Sequence, residues 1–297
     1  MWDELEFAFA LLVSGLSIGL MYSLIALGFV LIYKATDAIN FAQGEFVMLA
    51  GFMATTALAA NMPIWAAIAA AILGMILLSF VLERTVLRPL LGRPVVAVIM
   101  ATIGLAAILR GLPPITIGAQ TKALPLPIGD DPITLWTAVI PPVQVVGVIV
   151  SIAFLAVFTW FFLKSRMGIA MRAVADNQQV AMAMGINVER YFAIAWAMAG
   201  VVSALGGIIW GSMLGVDTQL SLIGLKVFPV VILGGLDSIV GAVVGGLIVG
   251  VVESIAAGYL DPYVGGGTKD FAPYVLMILT LMFKPYGLFG THRIERV

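Results

Sequence analysis

Cysteine is absent from the 297 residues, which excludes disulfides, thiolate metal ligands and cysteine nucleophiles. Histidine occurs once, as His292, between Thr291 and Arg293 near the end of the chain. A lone tail histidine reads as a solvated side chain, so no metal site is expected. Charge is scarce as well: Asp, Glu, Lys and Arg together make 10% of the residues, where a soluble domain carries about 25%. The net charge of −1 offers no basic field of the kind nucleic acid attracts. With one histidine and isolated carboxylates, neither a nucleophile–base pair nor a metal cluster can be assembled, and no enzyme is expected. The phosphate loop G-x-x-x-x-G-K-[ST] is missing too, since the dipeptide Gly-Lys never occurs.

What the chain has instead is apolar length. Hydrophobic residues make up 62% of it and mean hydropathy is +1.13. One water-soluble core of this size cannot hide so much apolar surface, whereas lipid removes the difficulty. Several stretches almost without charge reach the roughly 20 residues that cross a hydrocarbon layer of about 30 Å. They are residues 7–33, 46–82 (broken by Asn61-Met62-Pro63), 95–109, 132–163 and 191–216. Three weaker ones follow at 221–236, 238–260 and 271–283. The runs lack period-two alternation, which argues against a barrel. The expected fold is therefore an all-α polytopic membrane protein of eight or nine crossings, forming a single domain over residues 1–297. The acidic N-terminus lacks the basic start of a secretory signal, so the first apolar segment is expected to be retained as a spanning helix.

Some segments invite a different reading. Residues 221–236 contain Lys226, Pro229 and Gly234-Gly235 and suit a broken or re-entrant helix. The stretch from Asn40 opens on polar residues and can begin inside the membrane. Asp237-Ser238 reads as the cap of the next helix. With the N-terminus outside, eleven of the fifteen basic residues fall on the cytoplasmic side. These are Lys34, Arg84, Arg88, Arg93, Lys164, Arg166, Arg172, Arg190, Lys284, Arg293 and Arg296, while Arg110, Lys122 and Lys269 fall outside. This orientation puts the C-terminus in the cytoplasm. Trp65, Trp136, Trp160 and Trp210 lie near segment ends, as interfacial anchors should. The external connection 113–142 holds seven of the fourteen prolines, with Asp130 and Asp131, and predicts a stiff extended cap. Residues 261–270 form a shorter Gly-rich external loop.

Thirty-two glycines need a reason in such a protein. Gly15/Gly19, Gly207/Gly211/Gly215, Gly241/Gly245 and Gly246/Gly250 stand four apart, which puts a notch on one helix face where a neighbouring backbone can approach. That predicts a compact bundle, its glycine seams either static or sliding.

The longest cytoplasmic connection, 164–190, reads KSRMGIAMRAVADNQQVAMAMGINVER. Asp176, followed three residues later by Gln179, predicts a helix start, and Gly185 occupies the position after its end. A helix of about eight residues cannot stand alone in water, so it needs support from the fold or from a partner. Its methionines suit an adaptable surface for a partner's groove. A loop helix resting on the membrane face is the other reading.

This loop, with Ala181-x-x-x-Gly185 at its core, is similar to the coupling loop of ABC-importer permeases. GLSIGLMYSLIALGFVLIYKATDAINFAQGEFVMLAG (Gly15 to Gly51), RAVADNQQVAMAMGIN (Arg172 to Asn187) and VILGGLDSIVGAVVGGLIVGVVES (Val231 to Ser254) resemble the permeases of branched-chain amino acid importers, the shorter H-type subunit most. The resemblance spans nearly the whole chain. It implies a bacterial or archaeal plasma (inner) membrane and pairing with an M-type permease. It also implies two separate ABC ATPase subunits that hydrolyse the ATP, and an extracytoplasmic substrate-binding protein. It implies coupling through Arg172, Asp176, Asn177, Gln179, Ala181 and Gly185, with no cofactor on this chain. Related permeases carry amides, urea or other small polar solutes, and that alternative stays open, as does an ion-coupled secondary transporter.

Ionisable groups at bilayer depth are functional candidates by default. Here they are Glu45, Glu253 and Lys226, with Asn40 and Gln43 beside the first. Asn40, Gln43, Glu45 and Glu253 are candidates to line a translocation path. The competing role for the first three is capping, since a carboxylate early in a helix is favoured by the dipole.

Overall fold

The computed structural model describes residues 2–90, 92–129 and 131–291. Asp130, His292, Arg293 and Arg296 therefore lie outside the described residues. Helices dominate because an apolar run in lipid must satisfy its backbone internally. Among the described residues, six helical stretches are long and apolar enough to cross a membrane: Glu4–Thr36, Ile64–Leu90, Val95–Thr116, Pro142–Lys164, Val188–Leu214 and Ile239–Val264. They lie in or include helices α1 (Trp2–Thr36), α3 (Ile64–Leu82), α4 (Val95–Thr116), α5 (Pro142–Lys164), α8 (Val188–Leu214) and α10 (Ile239–Ile255). Three apolar helices are shorter: α2 (Gln43–Ala59), α9 (Leu222–Gly234) and α12 (Thr268–Phe283). At 1.5 Å per residue the thirteen residues of α9 span only about 20 Å, and its lead-in Thr218–Ser221 is a 3-10 turn. Two short helices, α6 (Arg166–Asp176) and α7 (Gln178–Ala183), fill the long polar connection, and α11 (Asp261–Val264) precedes α12.

The chain divides into two compact units, with boundaries within α1, α5 and α9 and in the connection at residues 127–128. The first contains residues 1–26, 128–152 and 225–297. Here α1 and α10 meet along glycine. A Cβ on Gly19 would stand 2.5 Å from the carbonyl oxygen of Gly246, and one on Gly250 would stand 2.3 Å from that of Gly15. A second face of α10 serves α9, where a Cβ on Gly241 would lie 2.2 Å from Gly234 O and one on Gly245 would lie 2.4 Å from Val230 O. Without a hydrophobic force between helices in lipid, such contact supplies association energy through packing. Pro229 cannot donate to the Leu225 carbonyl one turn before it, and the Tyr274 hydroxyl donates there instead at 3.0 Å. Ser238, not Asp237, caps α10 by accepting from Gly241 N at 2.9 Å, while Asp237 accepts from Thr291.

The proline-rich connection is ordered, but it begins later than the proline count suggests. Pro113 and Pro114 belong to the last turn of α4: proline's φ suits a helix, although the hydrogen bonds back to Leu109 and Arg110 are lost and the rings crowd those carbonyls. Strands β1 (Ile133–Leu135) and β2 (Ala138–Ile140) then form an antiparallel hairpin pairing Ile133 with Ile140. It leans on the start of α1 through Trp136 against Phe9, with ring centroids 5.1 Å apart, and through Thr137 Oγ1 donating to Glu6 O at 3.1 Å.

The second unit contains residues 27–127 and 153–224, with α2, α3 and α8 packed together at its centre. Gly207 lets α8 touch α2, since a Cβ there would lie 2.2 Å from Val47 O. Gly211 faces the Val216 side chain of its own following loop, and Gly215 has φ +85 at the end of α8. Trp196 and Phe46, both buried, meet edge to face at 6.0 Å. Trp65 and Trp160 are exposed as anchors require, as is Trp136 in the first unit, but Trp210 is buried inside α8 and anchors nothing at a surface.

Candidate functional site

Between α1 and α2 the chain leaves the helix and stays buried. Ala38, Asn40 and Ala42 are enclosed, so each polar group there needs a partner. Asn40 Oδ1 accepts from Ala42 N at 3.1 Å, and Phe41 N donates to Thr102 Oγ1 at 3.2 Å. Asn40 Nδ2 donates to Gln43 Oε1 at 3.3 Å, and Gln43 Nε2 donates to Ser203 Oγ at 2.9 Å. Gly28 leaves the room that the Gln43 amide occupies. Capping is thus part of what Asn40 does, although the residue flanking α2 is Ala42.

Helix α4 gives the depth of this break. Thr102 lies about 10 Å along α4 from Val95, and Arg110 about 22 Å, at 1.5 Å per residue. The first is bonded to Phe41 and the second is paired with Glu45. Helix α2 therefore starts well inside the span of α4. Arg110, expected outside, lies within α4, and its Nε donates to Glu45 Oε1 at 3.1 Å, with Nη2 donating to the same oxygen. Glu45 is 2% exposed. The expectation failed because the apolar run ends at Leu109, whereas the helix continues through both prolines.

A second polar cluster lies in the other unit. Lys226 on α9 donates to Glu253 on α10 at 3.2 Å and to Asp270 on α12 at 2.7 Å. Glu253 is 7% exposed, and the Tyr22 phenol faces the same carboxylate. One cation balances two carboxylates, so the cluster carries one excess negative charge. Sequence reasoning missed Asp270 as a participant. It also missed Glu83, which is buried and accepts from Arg88 Nε at 3.0 Å and Nη2 at 2.8 Å. Residues five apart meet there because Glu83–Leu87 is a π-helical turn, a register that an α-helical reading passes over.

The residues expected to couple differ in what they do in the fold. Helix α6, capped by Ser165, was not expected, and Asp176 is its last residue and not a cap. The cap of α7 is Asn177, whose Oδ1 accepts from Val180 N at 3.0 Å, so α7 starts one residue later than the Asp176–Gln179 spacing suggested. Both residues can accept at a helix start, but only Asn177 takes up the extended backbone that a cap requires. Gly185 has φ +80 and follows α7, while Ile186 N donates back to Ala181 O at 3.0 Å. Arg172 folds back on the end of α5, donating to Leu163 O at 3.2 Å with its guanidinium 5.8 Å from the Phe162 ring. Ala181 is buried, whereas Asp176, Asn177, Gln179, Val180, Met182 and Met184 are exposed. Gln178 ties α7 to α1 through Ala35 O at 3.2 Å.

Apolar spanning helices with a break at depth, polar groups satisfied around it, and a capped apolar rod in a polar loop define a polytopic helical membrane protein built as transporters are. The family described as "Branched-chain amino acid transport system / permease component" matches residues 11–283, and the chain belongs to it. It is 31% identical to the high-affinity branched-chain amino acid transport system permease protein LivH of Salmonella typhimurium, over 96% of both chains. It is 32% identical to the corresponding protein BraD of Pseudomonas aeruginosa, over 96% of this chain and 97% of that one. The solved structure "PsaBC from Streptococcus pneumoniae in complex with Fab" has a similar fold, with TM-score 0.50 and 12% identity over 93% of this chain and 92% of that one.

Proposed function

We propose that this chain is the transmembrane permease subunit of an ABC importer for branched-chain amino acids. The observation that carries the reading is similarity to named branched-chain amino acid permeases along 96% of both chains. The 297 residues act as one permease domain in the plasma membrane of a bacterium or archaeon. An M-type permease completes the pathway, two ATPase subunits hydrolyse ATP, and an extracytoplasmic binding protein delivers substrate. The chain itself needs no cofactor and catalyses no covalent reaction. The three shorter apolar helices join the six long ones as partial or tilted crossings, nine in all, with the N-terminus outside and the C-terminus in the cytoplasm. Asn40, Gln43, Glu45 and Glu253 border the route.

Coupling runs through α7. Val180, Met182 and Met184 form an exposed apolar face on a helix too short to fold alone, which an ATPase groove would cover. Asp176, Asn177 and Gln179 lie at its polar edge, Ala181 seats it, and Arg172 holds α6 against α5. Gly185→Val forces a β-branched residue to positive φ, a strain of about 1–2 kcal/mol. The expected result is roughly tenfold less coupled uptake with normal membrane insertion.

The deciding experiment is to purify the complex, identify its subunits, and measure ATP-driven leucine uptake in vesicles. Energised uptake that requires the ATPases supports the reading. Accumulation against a gradient by the isolated chain, with no other polypeptide present, would overturn it.

A further inference from the structure

Helices α2, α3 and α4 enclose an open apolar groove of about 530 Å³, lined by Leu49, Phe52, Met53, Thr56, Leu109 and Leu112 among others. Its far end lies near Ala60, Thr116 and Ile117, where α2 and α4 finish. At the other end stands the Glu45–Arg110 pair: Glu45 is one turn before Leu49 on α2, and Arg110 follows Leu109 on α4. The pair is net neutral and only half of it is enclosed, since Arg110 keeps 48% of its side chain exposed. Both Arg110 hydrogen bonds to Glu45 end on Oε1, so Oε2 and Arg110 Nη1 take part in neither. Pro113 and Pro114, moreover, donate nothing to the carbonyls of Leu109 and Arg110 one turn earlier. Acceptors and a guanidinium thus lie within about one helical turn of residues that line the apolar slot.

We propose that this is a binding site for an α-amino acid zwitterion with a branched apolar side chain. The inference rests on the function proposed above and adds the residues that would select the substrate. The α-carboxylate binds Arg110 side-on, as planar guanidinium favours. The α-ammonium takes Glu45 and a proline-freed carbonyl, and the side chain lies along the groove toward Phe52 and Leu112. A neutral zwitterion inserted into a neutral pair leaves every charge paired, so the exchange strands no ion at depth. Ordinary ligand pockets run from about 300 to 1,000 Å³, and the groove is of that size. A net-charged amino acid would leave one group unpaired, which disfavours it.

The test uses the complete complex with its ATPases and binding protein, reconstituted in phospholipid vesicles with ATP. Glu45→Gln and Arg110→Gln are each expected to lower L-leucine uptake at least about 30-fold, as loss of one partner to a buried charge does. The reciprocal double variant Glu45→Arg with Arg110→Glu is expected to assemble with wild-type thermal stability yet stay deficient for L-leucine. Exchanging the ammonium and carboxylate positions inverts the hand at the α-carbon, so its L-to-D uptake ratio should fall at least about tenfold. Leu112→Trp leaves the pair intact and fills the slot, so leucine uptake should fall more than alanine uptake. Full L-leucine uptake in the reciprocal variant would make the pair structural only and overturn the site. Unchanged leucine uptake with Leu112→Trp would assign the groove to lipid chains and overturn it as well. If the wild-type complex moved no branched-chain amino acid at all, the function itself would fail, and the site with it.

Discussion

Lys226→Met is expected to destabilise the first unit by about 3–5 kcal/mol, the cost of leaving a buried carboxylate without its cation. Lys226 joins three helices through Glu253 and Asp270, but the two partners do not weigh equally. Asp270 is more than half exposed, and an ion pair there is worth at most about 1 kcal/mol. Glu253 is enclosed and faces the Tyr22 phenol, so removing the ammonium leaves its carboxylate without a cation. Most of the penalty therefore belongs to Glu253. The double variant Lys226→Met with Glu253→Gln should recover most of the loss, whereas Lys226→Met with Asp270→Asn should recover little. Denaturant midpoints in detergent, compared around both cycles, measure the difference. A single-variant cost below about 1 kcal/mol would show that the Glu253 carboxylate finds water or a proton without Lys226.

Each feature of the fold is legible in the sequence only as far as the information that specifies it is local. Helix α3, apolar from Ile64 to Leu82, was legible because membrane length is a property of the run itself. Gly185 was legible because the end of a helix marks its neighbour's backbone. The pairing of Glu45 with Arg110 was not, since 65 residues separate them and nothing local signals it. Glu83 escaped for a different reason: its partner Arg88 is close in sequence but five residues on, a spacing that only a π-turn brings together. The Asp176–Gln179 spacing pointed one residue away from the actual cap, because Asn177 is an equally good acceptor and only backbone conformation chooses between them. The break before α2 was half legible: its polar residues announced that something begins there, but its depth came from Thr102 on another helix.

Glycine spacing was visible in the sequence, but its consequence depends on which helix answers it, and that makes Gly246 the more demanding test. Gly246→Leu is expected to cost more than about 3 kcal/mol, beyond the usual range for overpacking. A Cβ at that position would meet Ser23 Oγ at 2.1 Å and the Gly19 carbonyl oxygen at 2.6 Å. The serine cannot simply rotate away at no cost, because it is fully buried and its Oγ donates to Gly19 O at 2.8 Å and to Val243 O at 3.2 Å. The carbonyl is part of α1 and cannot move without the helix. Accommodating leucine therefore means separating α1 from α10 along the whole seam from Gly15 to Gly250, which forfeits dispersion contact at every step. Gly245→Ala instead presses on α9 at the Val230 carbonyl, so it should loosen a different joint. Cysteine pairs placed across each seam, in this cysteine-free chain, would report the separation directly as lost crosslinking. If Gly246→Leu left the α1–α10 crosslink and the thermal midpoint unchanged, close glycine packing would not be what holds these helices together.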